Sequence, residues 1–216
     1  MEQENYNQAF IKAKINKAQK GKANEHGHEA KDHSRLPPGQ TLTKAWPILD
    51  LGVRPNIELK DWKLEVNGLV ENPIILSWED FLKLPQSVIL DDMHCVTTWS
   101  RYDNSWEGVK FMDLFELVRP TAKANYVIQY GYDGYTTNAP LEDFLKDNAM
   151  VAYKHDEESL SPDHGGPART ILPDLYAWKG SKFIKKIELV EKDQPGFWEV
   201  RGYNNHGDPW KEERYS

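Results

Sequence analysis

Apolar and charged residues alternate at Trp62, Leu64 and Val66, the period of a half-buried strand. Asn67-Gly68 follows as a tight-turn candidate. Ser77-Trp78-Glu79-Asp80 sets a cap before a helix reaching Leu84, where Pro85 stops it. Ser87–Leu90 reads as a strand running toward Asp91-Asp92-Met93-His94-Cys95, with a polar and aromatic turn at Val96–Arg101 beyond it. Apolar residues at 111, 114, 115 and 118 mark a helical face over Phe111–Val118, ended by Pro120. Asn125–Tyr132 is rich in Tyr, Val and Ile and predicts a strand. Leu141–Leu145 predicts a short helix, and Met150–Tyr153, Ala168–Leu172 and Phe183–Val190 predict further strands. Regular strand–helix–strand units with ten-residue helices are missing, so the pattern predicts a strand-rich α+β domain and not a doubly wound sheet.

Composition divides this pattern near residue 45. Residues 1–45 hold eight Lys/Arg against five acidic residues, although the whole chain of 216 residues carries a net charge of -7. All eight tryptophans lie at or after Trp46. The expected division is a solvated, mostly irregular arm over 1–35 and one domain over 36–216. Tyr6, Phe10, Ala13 and Lys17 share helical spacing, though an isolated helix that short is marginal in water. An acidic balance argues against nonspecific binding to nucleic acid. No apolar run approaches the ~20 residues that span a bilayer, so an integral membrane protein is not expected. The N-terminus lacks an apolar signal stretch and twin arginines, which makes the cytoplasm the expected compartment.

A single cysteine, Cys95, excludes an intrachain disulfide framework, a multi-cysteine zinc or iron–sulfur site and a C-x-x-C redox pair. Three readings stay open for it. It could be a buried small hydrophobe. It could be a nucleophile, although adjacent His94 points to the opposite side of an extended chain. It could ligate a soft or high-valent metal, provided that the metal arrives inside an organic cofactor, since one protein ligand is too few for zinc or copper. Gly165-Gly166 would let backbone N–H groups approach an anion, and Arg169, Lys179 and Lys182 supply cations for a phosphate. A glycine turn with surface cations explains the same residues. Tyr130-Gly131-Tyr132-Asp133-Gly134-Tyr135 reads as an aromatic hairpin or a pocket wall. His26-Gly27-His28 with His33 resembles a chelating tract, and incidental composition of the arm accounts for it equally.

Six collinear stretches resemble the molybdopterin domain of the sulfite oxidase family, in particular its small single-domain bacterial members. They are LPPGQTLTKAWPILDLG, WKLEVNGLVENPIILSWEDFLKLP, HCVTTWSRYDNSWEGVKFMDLFELV, YDGYTTNAPLEDF, HGGPARTILPDLYAWKGSKFIKKIELVE and FWEVRGYNNHGDPWKEERY. The resemblance implies a molybdenum cofactor (Mo-molybdopterin) with Cys95 as the protein's ligand to the metal. It implies that Asp133 contacts the pterin and that His164 and Arg169, with Gly165 and Gly166, hold the pterin or its phosphate. Gly180-Ser181-Lys182 corresponds to a loop closing over that end, and Trp46 begins an early cofactor-contacting loop. Tyr135 and Arg101 correspond to residues that meet the substrate.

The chain departs from true sulfite oxidases in three ways. A C-terminal dimerisation domain and a haem attachment are not expected from these residues, and the arginine set is incomplete, with Arg101 alone near Cys95. Trp99, Tyr102 and Trp106 nearby favour a larger or less charged substrate than sulfite. The implied activity is two-electron oxygen-atom transfer on a small molecule, with electrons exchanged with a cytochrome, flavoprotein or quinone-linked partner. A non-catalytic cofactor carrier or partner-binding module is the alternative, and a cysteine hydrolase is a third.

Overall fold

A computed structural model describes residues 6–20 and 35–215. His26, His28 and His33 lie outside them. The elements in chain order are α1 (Gln8–Lys20), β1 (Thr41–Leu42), β2 (Lys63–Gly68), β3 (Ile74–Ser77), α2 (Trp78–Lys83), β4 (Ser87–Cys95), β5 (Trp99–Lys110) and α3 (Phe111–Val118). They continue with β6 (Tyr126–Gly131), β7 (Thr136–Pro140), α4 (Leu141–Phe144), β8 (Met150–His155), β9 (Glu158–Ser159), β10 (Arg169–Ile171) and β11 (Ile184–Val190). The fold is the expected strand-rich α+β type.

Two sheets form. In one, β5 pairs antiparallel with β4, parallel with β1 at Trp99 and Ser100, and antiparallel with β8, which carries β10 and β9. The other runs β3-β2-β11-β6-β7, with only β2 and β11 parallel. An aliphatic-rich core joins elements of both sheets. It takes Leu64 and Val66 from β2, Val109 from β5, Ile187 from β11 and the apolar face of α3. Phe111, Leu114, Phe115 and Val118 of α3 are buried, each contributing about 2 kcal/mol of apolar burial. Ser77 caps α2 by accepting from the Asp80 N–H, a contribution of about 1 kcal/mol.

Three expectations change. Asn67-Gly68 is not a two-residue hairpin turn. Gly68 ends β2 at φ +87°, and a Cβ there would meet the Leu189 carbonyl at 2.2 Å, so the backbone of β11 requires glycine. The expected turn at Val96–Arg101 spans only 96–98. From Trp99 the chain is a twelve-residue strand whose polar residues Ser100 and Asn104 are fully buried. Helix α1 does form within residues 1–35, and among its described side chains Ile11 is buried, while Phe10 is about half exposed.

Candidate cofactor site

Cys95 is the last residue of β4. The Thr98 N–H donates to its carbonyl at 3.0 Å and closes a turn, with Thr98 at φ +71°. The Gln40 amide donates to the same carbonyl at 3.0 Å, and Arg214 donates to the Val96 carbonyl at 3.0 Å. Segments from both ends of the chain thus fix the turn. The Cys95 side chain is buried, its Sγ 3.1 Å from Thr97 Oγ1. Alternation sends His94 elsewhere, to a 2.8 Å bond with Ser100 Oγ. Burial pushes the His94 pKa down to about 4.

The thiol lines a cleft that is partly open to solvent. Of the residues expected at a site, Trp46, Cys95, Asp133, Tyr135, Arg169, Gly180 and Lys182 line it. No histidine among the described residues does so.

Three cations meet here, and none has a carboxylate partner among the described residues. Arg169 is 4% exposed and donates to the His164 carbonyl at 3.1 Å, with its Nε unpartnered. Lys182 donates to the Asp163 carbonyl at 2.7 Å. Lys14 of α1 donates to the Asp50 carbonyl. Burial pulls Arg169 down to about 10. Burial, reinforced by the Arg169 charge, pulls Lys182 down to about 7. Burial also lowers Lys14, to about 8. Uncompensated charge held out of water is costly, and an anion in the cleft offsets that cost.

The remaining expected residues surround this cleft. His164 stacks on Trp46 with centroids 3.7 Å apart and planes at 7°, and its buried Nδ1 has no partner. Its pKa falls to about 4, first through burial and then through Lys182. The glycines serve packing. A Cβ on Gly165 would stand 2.8 Å from the Lys182 side chain, and one on Gly166 would stand 2.0 Å from the Leu160 carbonyl. Ser181 is fully buried and bonds inward, to the Lys182 carbonyl and Thr170. The Tyr135 hydroxyl donates to the Trp178 carbonyl, and burial holds its pKa well above 10. Asp133 Oδ1 accepts from the Tyr135 N–H at 3.1 Å.

Arg101 is not brought to the cleft. It pairs with Asp156 at 2.6 Å and contacts His155 at 3.0 Å. Lys179, expected among the phosphate cations, is fully buried behind the cleft and pairs with Glu199 at 2.6 Å. Lys14, Trp178, Trp198 and Tyr203 line the cleft without having been singled out by their sequence context.

A buried thiol and three cations without a salt-bridged carboxylate among the described residues line one cleft, an arrangement suited to an anion. Residues 51–198 match the family model of the oxidoreductase molybdopterin binding domain. The chain belongs to this family, and its cofactor is accordingly the molybdenum cofactor. The chain is 43% identical to the oxidoreductase YuiH of Bacillus subtilis (strain 168), over 84% of this chain and 92% of that protein. It is 27% identical to the protein-methionine-sulfoxide reductase catalytic subunit MsrP of Campylobacter jejuni, over 70% of this chain and 57% of that one. Its fold matches the sulfane dehydrogenase SoxCD of Paracoccus pantotrophus, with a TM-score of 0.61 at 19% identity, over 79% of this chain and 50% of that one. The family places the chain among oxidoreductases of the sulfite oxidase type. No helix of the described residues is long and apolar enough to cross a membrane.

The residues present fit the group. A molybdopterin is anionic at its phosphate, and the orphaned Arg169 Nε and the three cations supply what an anion needs. Cys95 could supply the soft donor.

Proposed function

We propose that this chain is an oxygen-atom-transfer enzyme that works in two-electron steps and exchanges electrons with an external redox carrier. The observation that carries this reading is the meeting of Cys95 with three carboxylate-free cations in one cleft. The cofactor, when bound, supplies the redox chemistry. Cys95 holds the metal. Arg169 and Lys182 hold the anionic end, with Gly180 and Ser181 shaping the loop that presents Lys182 and with Gly165 leaving room for its side chain. Trp46, backed by the stacked His164 ring, forms a wall, and Asp133 accepts from the pterin. Tyr135 keeps its proton and forms a rigid wall toward the substrate.

The cleft is lined by Trp99, Trp178, Trp198 and Tyr203. Such walls suit a neutral or weakly charged sulfur or oxo compound better than a bare dianion. Arg101 has no part in this proposal, because Asp156 and His155 hold it. The proposal includes a cytoplasmic location, and fractionation of the native cells tests it.

The test of the reaction uses the full chain expressed in a molybdopterin-competent host. Loaded protein is assayed for sulfite oxidation with ferricyanide and for dimethyl sulfoxide reduction with a reduced viologen. Turnover of the sulfoxide is the expected result. Fully loaded protein that turns over neither compound, and releases its cofactor intact, is instead the carrier.

A further inference from the structure

Helix α1 lies outside the matched domain, which begins at residue 51. The helix and the two residues before it nevertheless join three parts of the cleft wall. The Asn7 N–H donates to the Leu51 carbonyl at 3.2 Å, the Tyr6 hydroxyl to the Asp133 carbonyl at 2.9 Å, and the Tyr203 hydroxyl to the Lys14 carbonyl at 3.4 Å. Tyr6 packs edge-to-face on Phe197 at 5.1 Å, and Ile11 is buried.

The docked helix brings one cation into the cleft. Lys14 Nζ lies 5.7 Å from the Trp198 ring. Its hydrogen-bond partner among the described residues is the Asp50 carbonyl. An ammonium has three donors. The nearby Asp50 carboxylate is already taken, by Arg54 at 2.6 Å and by the Gly52 N–H at 2.8 Å. Lys14 is therefore a cation on a partly buried wall, with donors to spare and no salt-bridged carboxylate among the described residues, the nearby Asp50 carboxylate being bonded to Arg54 and Gly52.

We propose that α1 completes the cleft and that Lys14 is an anion-binding residue of it, taking an anionic oxygen of the bound cofactor or of a substrate. Burial lowers the ammonium pKa to about 8, which still leaves Lys14 mostly charged near neutrality. The cofactor arm rests on the function proposed above. The anion chemistry of Lys14 does not.

The test compares the full chain with its Lys14→Met and Lys14→Arg variants. The methionine keeps an apolar stem against Trp198 and removes the charge. The first measurement is calorimetric binding of inorganic pyrophosphate to cofactor-free protein. The second is molybdenum and pterin content after extended dialysis. The third is the KM for sulfite against that for dimethyl sulfoxide. Limited proteolysis follows the docking of α1.

Lys14→Met is expected to weaken pyrophosphate binding about tenfold, the scale of one charge-assisted bond, and Lys14→Arg to restore most of it. Faster loss of cofactor then assigns the bond to the cofactor. A higher KM for sulfite alone assigns it to the substrate. Unchanged pyrophosphate affinity, retention and KM in Lys14→Met overturn the proposal, as does loss of binding that tracks release of α1 and that Lys14→Arg does not rescue. Wild type without molybdenum sinks the proposed function, and the pyrophosphate measurement still decides Lys14.

Discussion

The molecule has two packed regions that treat polar groups differently. The aliphatic-rich core between the sheets is built from Leu64, Val66, Val109, Ile187 and the face of α3. The second region, around Cys95, is aromatic and includes Trp99, Trp178, Trp198 and Tyr203. Charges also differ between the cleft wall and the layer behind it. Lys179, behind the cleft, has Glu199 at 2.6 Å and the Asn138 carbonyl at 2.8 Å. Lys14, Arg169 and Lys182, on the cleft wall, donate hydrogen bonds to backbone carbonyls and to no carboxylate among the described residues. A region that balances its charges holds the fold together. A region that leaves cations without counter-ions is organised for something that arrives from outside.

The comparison can be broken most forcefully on its stabilising side. Phe111→Ala opens the aliphatic core and should cost about 3–5 kcal/mol, read by urea unfolding of cofactor-free protein. Glu199→Ala strands the Lys179 ammonium and should cost a similar ~3–5 kcal/mol. Losses under 1 kcal/mol at both positions would erase the distinction between the regions.

Arg169→Met probes the other side. It removes a buried cation that has no carboxylate, so the cofactor-free protein should keep or raise its melting temperature. Molybdenum content of the same variant should fall about tenfold or more. A large drop in melting temperature with full molybdenum content would reverse the assignment.

The smallest effect is a pH dependence. Lys182 has a folded pKa of about 7, below its ordinary 10.5. Between those values the unfolded chain holds a proton that the folded chain has released. Stability of the cofactor-free protein should therefore rise with pH through this window and be lowest below pH 7. Urea midpoints at pH 7 and 9.5 measure the slope, and Lys182→Met should flatten it.

The two regions also differed in what the sequence revealed. The helix Phe111–Val118 and the cap at Ser77 rest on local patterns that tertiary packing reinforces, and both were readable. Strand β5 was not, because its buried positions include Ser100 and Asn104 and carry no apolar alternation. In the cleft, Cys95, Arg169 and Lys182 could be named from their motifs. The contrast between paired Lys179 and unpaired Lys182 could not, since the partner Glu199 lies twenty residues downstream. Lys14 was hidden for the same reason, reaching the cleft through contacts with residues 51, 133 and 203.

The most direct test of the central claim is the molybdenum-to-protein ratio and the metal's sulfur ligation by X-ray absorption, in wild type and Cys95→Ser from one molybdopterin-competent host. Wild type should carry close to one molybdenum per chain, and Cys95→Ser should lose the metal or one sulfur ligand. Wild type free of molybdenum, or Cys95→Ser with unchanged metal content and sulfur ligation, would contradict it.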